Sequence, residues 1–109
     1  MATTFEVLGE PNRRLILELL RSAERPVGEL VEATTLSQPA VSKHLRVLRR
    51  AGLVEVRTDA QRRIYRLRAE PLRAVDDWLR PYRRLWAPRP DPRERPLDAM
   101  DDDDPDARP

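Results

Sequence analysis

Along the first 86 residues, apolar positions follow a helical period, then alternate, then return to a helical period. Thr3 or Thr4 caps a short first helix through Leu8, with Phe5 and Leu8 on one side and Gly9 at its end. Pro11 and Asn12 open a second helix to about Ala23, in which Leu15, Ile16, Leu19 and Leu20 form an apolar stripe. Arg25-Pro26 breaks that helix. A third short helix runs from Val27 to about Thr34, with Val27, Leu30 and Val31 inward.

The clearest helix spans 38–51. Ser37 is a favoured N-cap, Pro39 falls in the first turn where its missing N–H is harmless, and Gly52 supplies the left-handed stop. With successive residues about 100° apart, Val41, Leu45 and Leu48 share one face. Pro39, Lys43, Arg46 and Arg50 lie opposite, with Ser42 at the flank. One side suits a core and the other a phosphate backbone or groove.

After Gly52, the runs 53–57 and 62–68 alternate β-branched or aromatic residues with charges, and Thr58-Asp59-Ala60-Gln61 joins them as a β-hairpin. Val54 and Val56 face one way, as do Tyr65 and Leu67. A last helix starts at Pro71 and carries Leu72, Val75, Leu79, Tyr82 and Trp86 at alternating spacings of three and four, a seam for another helix, which Trp78 and Leu85 widen. Pro81 predicts that this helix bends or splits near Asp77. The predicted fold class is mainly α with a β-hairpin wing: a winged helix-turn-helix with four helices, a two-stranded wing and a C-terminal helix.

Charge sharpens this picture. The 109 residues hold 21 Lys+Arg and 19 Asp+Glu, unevenly placed. Ser37 to Glu70 carries nine basic against three acidic residues, a concentration that points to a polyanion partner. Residues 87–109 carry eight acidic residues, four arginines and six prolines, including the run Asp101 to Asp104. Such a stretch buries too little apolar surface to offset its ordering entropy, so two segments are expected: a folded domain at 1–86 and a disordered acidic tail at 87–109.

Leu36 to Val54, with its core Ser37-Gln38-Pro39-Ala40-Val41-Ser42-Lys43-His44-Leu45, resembles the helix-turn-helix of ArsR-type bacterial transcriptional regulators. Asn12 to Leu20 is similar to that family's second helix, and Arg63-Ile64-Tyr65-Arg66-Leu67 to its second wing strand. The resemblance covers about residues 3–86. It implies a homodimeric, sequence-specific regulator, most often a repressor, reading a palindromic operator with helix 38–51 in the major groove and the wing at 57–66 on the backbone or minor groove.

Carried over, Gln38, Ser42, Lys43 and Arg46 become candidate base contacts, since Gln suits adenine and Arg or Lys suits guanine. Ser37 offers its hydroxyl and the helix N-terminus to a phosphate, beside Pro39 and Arg50. Arg62 and Arg63 fall on the wing, where arginine suits a narrow minor groove. The first and last helices would form the dimer through Phe5, Leu8, Leu72, Val75, Leu79, Tyr82 and Trp86. Two positions depart from the family pattern. Thr35 replaces a common glycine in the turn before helix 38–51, and the Asp59-Ala60 tip also lacks one.

The missing residue types narrow the chemistry. With no cysteine and one histidine, the chain has no disulfide, thiolate metal site or His-pair cage. Asp76 and Asp77 read as solvated helix surface, so no metal and no cofactor are expected. No nucleophile–base pair or phosphate loop marks an enzyme. His44 reads as a partly buried histidine bonded to a backbone carbonyl rather than a base contact. Met1 to Glu10 does not read as a signal peptide, and the longest aliphatic run is Leu15-Ile16-Leu17. A soluble cytoplasmic protein without membrane partners is therefore expected, its effector unassigned. The competing reading is a protein-interaction module that docks through the apolar seam of the last helix, for which the basic excess would be superfluous.

Overall fold

The computed structural model describes residues 3–86, and the chain divides after Val75 into two units taken separately below. The acidic tail expected at 87–109 lies outside the described residues. The first unit begins with α1 (Thr4–Leu8), α2 (Pro11–Ser22), β1 (Arg25–Pro26), α3 (Val27–Ala33) and α4 (Gln38–Arg50). Strands β2 (Val54–Asp59) and β3 (Arg62–Leu67) follow, and α5 (Leu72–Trp86) begins in this unit.

Local chemistry explains most element ends. Thr3 caps α1 in a reciprocal box, its Oγ1 accepting from the Glu6 amide at 3.1 Å while Glu6 Oε1 accepts from the Thr3 amide at 2.9 Å. Glu10 caps α2, accepting from the Asn12 and Arg13 amides at 2.7 and 3.1 Å. At the end of α4, Gly52 takes φ +78°, its amide donates to the Arg49 carbonyl at 2.9 Å, and Leu53 donates to the Leu48 carbonyl at 2.9 Å. That is a Schellman closure, and it needs a residue tolerant of left-handed backbone.

Thr35 does not adopt positive φ. The turn before α4 is held instead by Thr34, whose Oγ1 donates to the Leu30 carbonyl at 2.9 Å and accepts from the Leu36 amide at 3.2 Å. No glycine is required there.

The core joins α2, α3, α4 and the sheet. Ile16, Leu30, Val41, Leu45, Leu48 and Leu53 are each fully buried, and Tyr65 from β3 closes the cluster. Burying each of the larger aliphatic side chains contributes about 1.5–3 kcal/mol. The sheet differs from the expected two-stranded wing: it has three strands in the order β1-β3-β2. Arg25 pairs with Tyr65 and Pro26 with Ile64, so β3 is central along that stretch. The hairpin is tighter than expected, with Asp59 opposite Arg62 and only Ala60-Gln61 between the strands. Ala60 takes φ 57°, the positive value a two-residue hairpin turn demands at its first central position.

In the second unit, residues Asp76–Trp86 belong to α5, which continues through Pro81 as one helix rather than splitting. Proline removes a single helical amide at that point, and the flanking turns carry the helix past it. Arg80 pairs with Asp77 at 2.8 Å, and Arg83 pairs with Asp76 across two turns. No residue of α5 is buried.

Candidate nucleic-acid interface

The two sides of α4 are sharply segregated. Val41, Leu45 and Leu48 lie in the core, while Gln38, Lys43, Arg46, Arg49 and Arg50 are exposed and Ser42 is half-buried. Ser37 Oγ accepts from the Ala40 amide at 3.3 Å, fixing the first turn. Gln38, Ser42, Arg46 and Arg49, spaced by four, four and three residues, then form one stripe along the helix.

That stripe faces the wing. An open groove of about 310 Å³ is lined by Gln38, Ser42, Arg46 and Arg49 from α4, Arg63 and Tyr65 from β3, and Val27 from α3. Among the described residues, Arg46, Arg49 and Arg63 form no ion pair. Three guanidiniums without counter-charges across one concave surface make a site for an anionic ligand with repeating charge.

Strand register assigns the wing arginines to faces. Val54 is opposite Leu67, Val56 opposite Tyr65 and Thr58 opposite Arg63, and these pairs share the inner face. Glu55 opposite Arg66, Arg57 opposite Ile64, and Asp59 opposite Arg62 share the outer face. On that outer face every arginine has a carboxylate: Arg66 to Glu55 at 3.3 Å, Arg57 to Glu24 at 2.9 Å, and Arg62 to Asp59 at 3.9 Å. Arg68, just past β3, meets Glu55 at 3.0 Å and Glu70 at 3.5 Å.

The structure thus gathers Gln38, Ser42, Arg46 and Arg63 around one groove and adds Arg49, which the wheel had given no role. Arg49 continues the Gln38 stripe at helical spacing, and that was its available signal. Pro39, Lys43 and Arg50 occupy the neighbouring exposed stripe and do not line the groove; Ser37 stands exposed at the helix start, and Arg62 beside the tip.

His44 corrects an expectation. It is half-buried, but its Nδ1 is buried with no hydrogen-bond partner rather than bonded to a carbonyl. The charge that His44 faces is Glu10. Partial burial raises the Glu10 pKa, but the amide bonds from Arg13 and Asn12 and the charges of His44 and Arg13 together outweigh it, leaving it below the ordinary carboxylate value.

Of the expected dimer residues, Leu8 and Leu72 pack against the core as half-buried side chains, and Phe5 is 47% exposed. Val75 and Leu79 are half-buried. Trp78, Tyr82, Leu85 and Trp86 are 55, 41, 78 and 54% exposed, an apolar surface unusual for a helix facing only water. The Trp78 and Tyr82 rings pack with centroids 4.9 Å apart. Among the described residues no three His, Cys, Asp or Glu side chains form a metal-holding group, and no helix is long and apolar enough to cross a membrane.

Residues 10–56, the span from the α2 cap through α4 into β2, match the model of the bacterial regulatory proteins of the arsR family. The transcriptional activator HlyU of Vibrio cholerae is 39% identical over 68% of this chain and 68% of its own. The chain belongs to the arsR family. The transcriptional repressor SdpR of Bacillus subtilis is 29% identical over 72% of this chain and 88% of its own. A solved structure described as a possible transcriptional regulator for arsenical resistance superposes with a TM-score of 0.63 at 38% identity, covering 76% of this chain and 83% of that one. ArsR-family membership makes this chain a DNA-binding transcriptional regulator with a winged helix-turn-helix fold, and not an enzyme.

Proposed function

We propose that this arsR-family regulator is a cytoplasmic homodimer that represses transcription by occupying a palindromic operator. Helix α4 enters the major groove, with Gln38, Ser42, Lys43 and Arg46 at base edges and Ser37, Pro39 and Arg50 along the backbone. The wing at 57–66 lies on the backbone or minor groove, with Arg63 inserted and Arg62 at its tip. The observation that carries this reading is the groove in which Arg46, Arg49 and Arg63, without acidic partners among the described residues, flank Gln38 and Ser42. A second copy would cover the apolar positions of α1 and α5 (Phe5, Leu8, Leu72, Val75, Leu79, Tyr82 and Trp86), and the exposure of the α5 aromatics supports that. Two recognition helices would then reach half-sites about 34 Å apart.

Fluorescence anisotropy on DNA from the protein's own upstream region, against a scrambled duplex at two salt concentrations, tests the reading. Tight, salt-sensitive and selective binding at two chains per site is the expected result. Weak binding, equal on both duplexes, would overturn it in favour of a protein partner for the α5 surface.

A further inference from the structure

Among the outer-face ion pairs of the wing, one reaches beyond the hairpin to the α2–β1 corner. Nε and Nη2 of Arg57 donate to Glu24 Oε1 at 3.2 and 2.9 Å, linking residues 33 positions apart. Glu24 directly precedes β1, and Arg57 lies on β2, the strand at the opposite edge of the sheet. The bridge therefore passes from one edge of the sheet to the other, across β3. Ile64 is the register partner of both Pro26 and Arg57, and it is only 5% exposed although it faces away from the main core.

The place of this bridge along the strands matters. Strand β1 supports β3 only at Tyr65 and Ile64. From Thr58 through Arg63 the hairpin extends past that support with two strands alone. Arg57, opposite Ile64, sits at the root of this overhang, and Arg63, which faces the groove, lies on the overhang itself. The pairs Glu55–Arg66 and Asp59–Arg62 join β2 to β3 and so leave the hairpin free to swing as a unit.

We infer that Glu24 is a positioning residue for DNA binding: through Arg57 it straps the wing to the α2–β1 corner and holds Arg63 across the groove from α4. This rests on the groove being the DNA face. Held by Glu24, Arg57 is then engaged in the strap rather than with phosphate, although its place on the wing suggests the opposite.

Glu24→Gln separates the two roles by sign. The substitution removes a negative charge and frees a guanidinium, so a purely electrostatic account predicts tighter binding to every duplex. A strap predicts weaker operator binding, by about three- to fivefold, as expected for losing one exposed pair of good geometry. The charge-swapped double variant E24R/R57E should recover most of that loss. Amide exchange in the free protein gives a readout that needs no DNA: Asp59–Arg62 should exchange several-fold faster in E24Q while α2 and α4 amides keep their rates. Operator binding by E24Q equal to or tighter than wild type, or a loss that the swap leaves in place, would overturn the strap. Unchanged exchange at the wing tip would overturn it as well. If the wild-type protein shows no selective binding, the DNA reading fails, and the exchange measurement still decides the strap.

Discussion

On the outer face of the wing Arg57, Arg62 and Arg66 each meet a carboxylate, whereas Arg63 on the inner face, and Arg46 and Arg49 across the groove, meet none among the described residues. The two faces are built from the same residue type a few positions apart. What separates them is the two-residue alternation of the strands together with where the acids fall: Glu55 and Asp59 on alternate positions of β2, and Glu24 at the sheet edge. An arginine beside a carboxylate presents less net positive charge to a phosphate, because the neighbouring acid offsets part of its field. Arginine count alone therefore overstates the surface available to a polyanion.

Alanine substitution on each face tests the difference between them. Arg46→Ala or Arg63→Ala should lower operator affinity by about 1–3 kcal/mol and flatten the log–log salt dependence by about one unit each. Arg68→Ala, whose partners are Glu55 and Glu70, should stay within about twofold of wild type. Equal losses from all three in an anisotropy titration would erase the distinction between the faces. A smaller effect tests what holds the groove helix: Ser37→Ala removes the cap on Ala40 and should cost about 1 kcal/mol in thermal unfolding. Smaller still, Ala60→Gly relieves the positive φ where the two faces meet at the tip and should stabilise the hairpin by a few tenths of a kcal/mol.

The Glu10 pKa is lowered in the folded chain, so its capping contribution is complete above the ordinary carboxylate pKa and is lost as pH falls through the folded value. Wild type and Glu10→Gln should therefore differ in melting temperature at neutral pH and converge in acid. A difference that persists undiminished at low pH would show that the charged cap is not its source.

Where signals are local, the sequence was a sound guide to the fold. The Ser37 cap, Pro39, Gly52 and the 41/45/48 spacing all act within a few residues, and together they predict α4 to within one residue of its observed end. Strand β1 was missed because two residues, one of them proline, carry no periodicity, and their partners Tyr65 and Ile64 lie about 40 positions away. The place of Arg49 on the groove is not legible in the sequence for a related reason. A helical wheel separates buried from exposed, but which exposed stripe faces the wing depends on how the hairpin folds back. The pairing of Arg57 with Glu24 is equally non-local. The helical wheel locates His44 at the margin of the core, but whether its ring finds a partner depends on the elements packed against α4, which periodicity does not reveal.

The segregation of α4 has a consequence for how such a protein diversifies. Gln38, Lys43 and Arg46 are exposed and Ser42 is half-buried, off the face on which Val41, Leu45 and Leu48, with Val47 beside them, tie the helix to the core. On the proposed reading of α4 as the DNA-contacting helix, a gene encoding this chain can drift at these positions, and its product can come to recognise another DNA address, without passing through unfolded intermediates. For a protein engineer, those four codons are a dial that can be turned while the scaffold stays as it is.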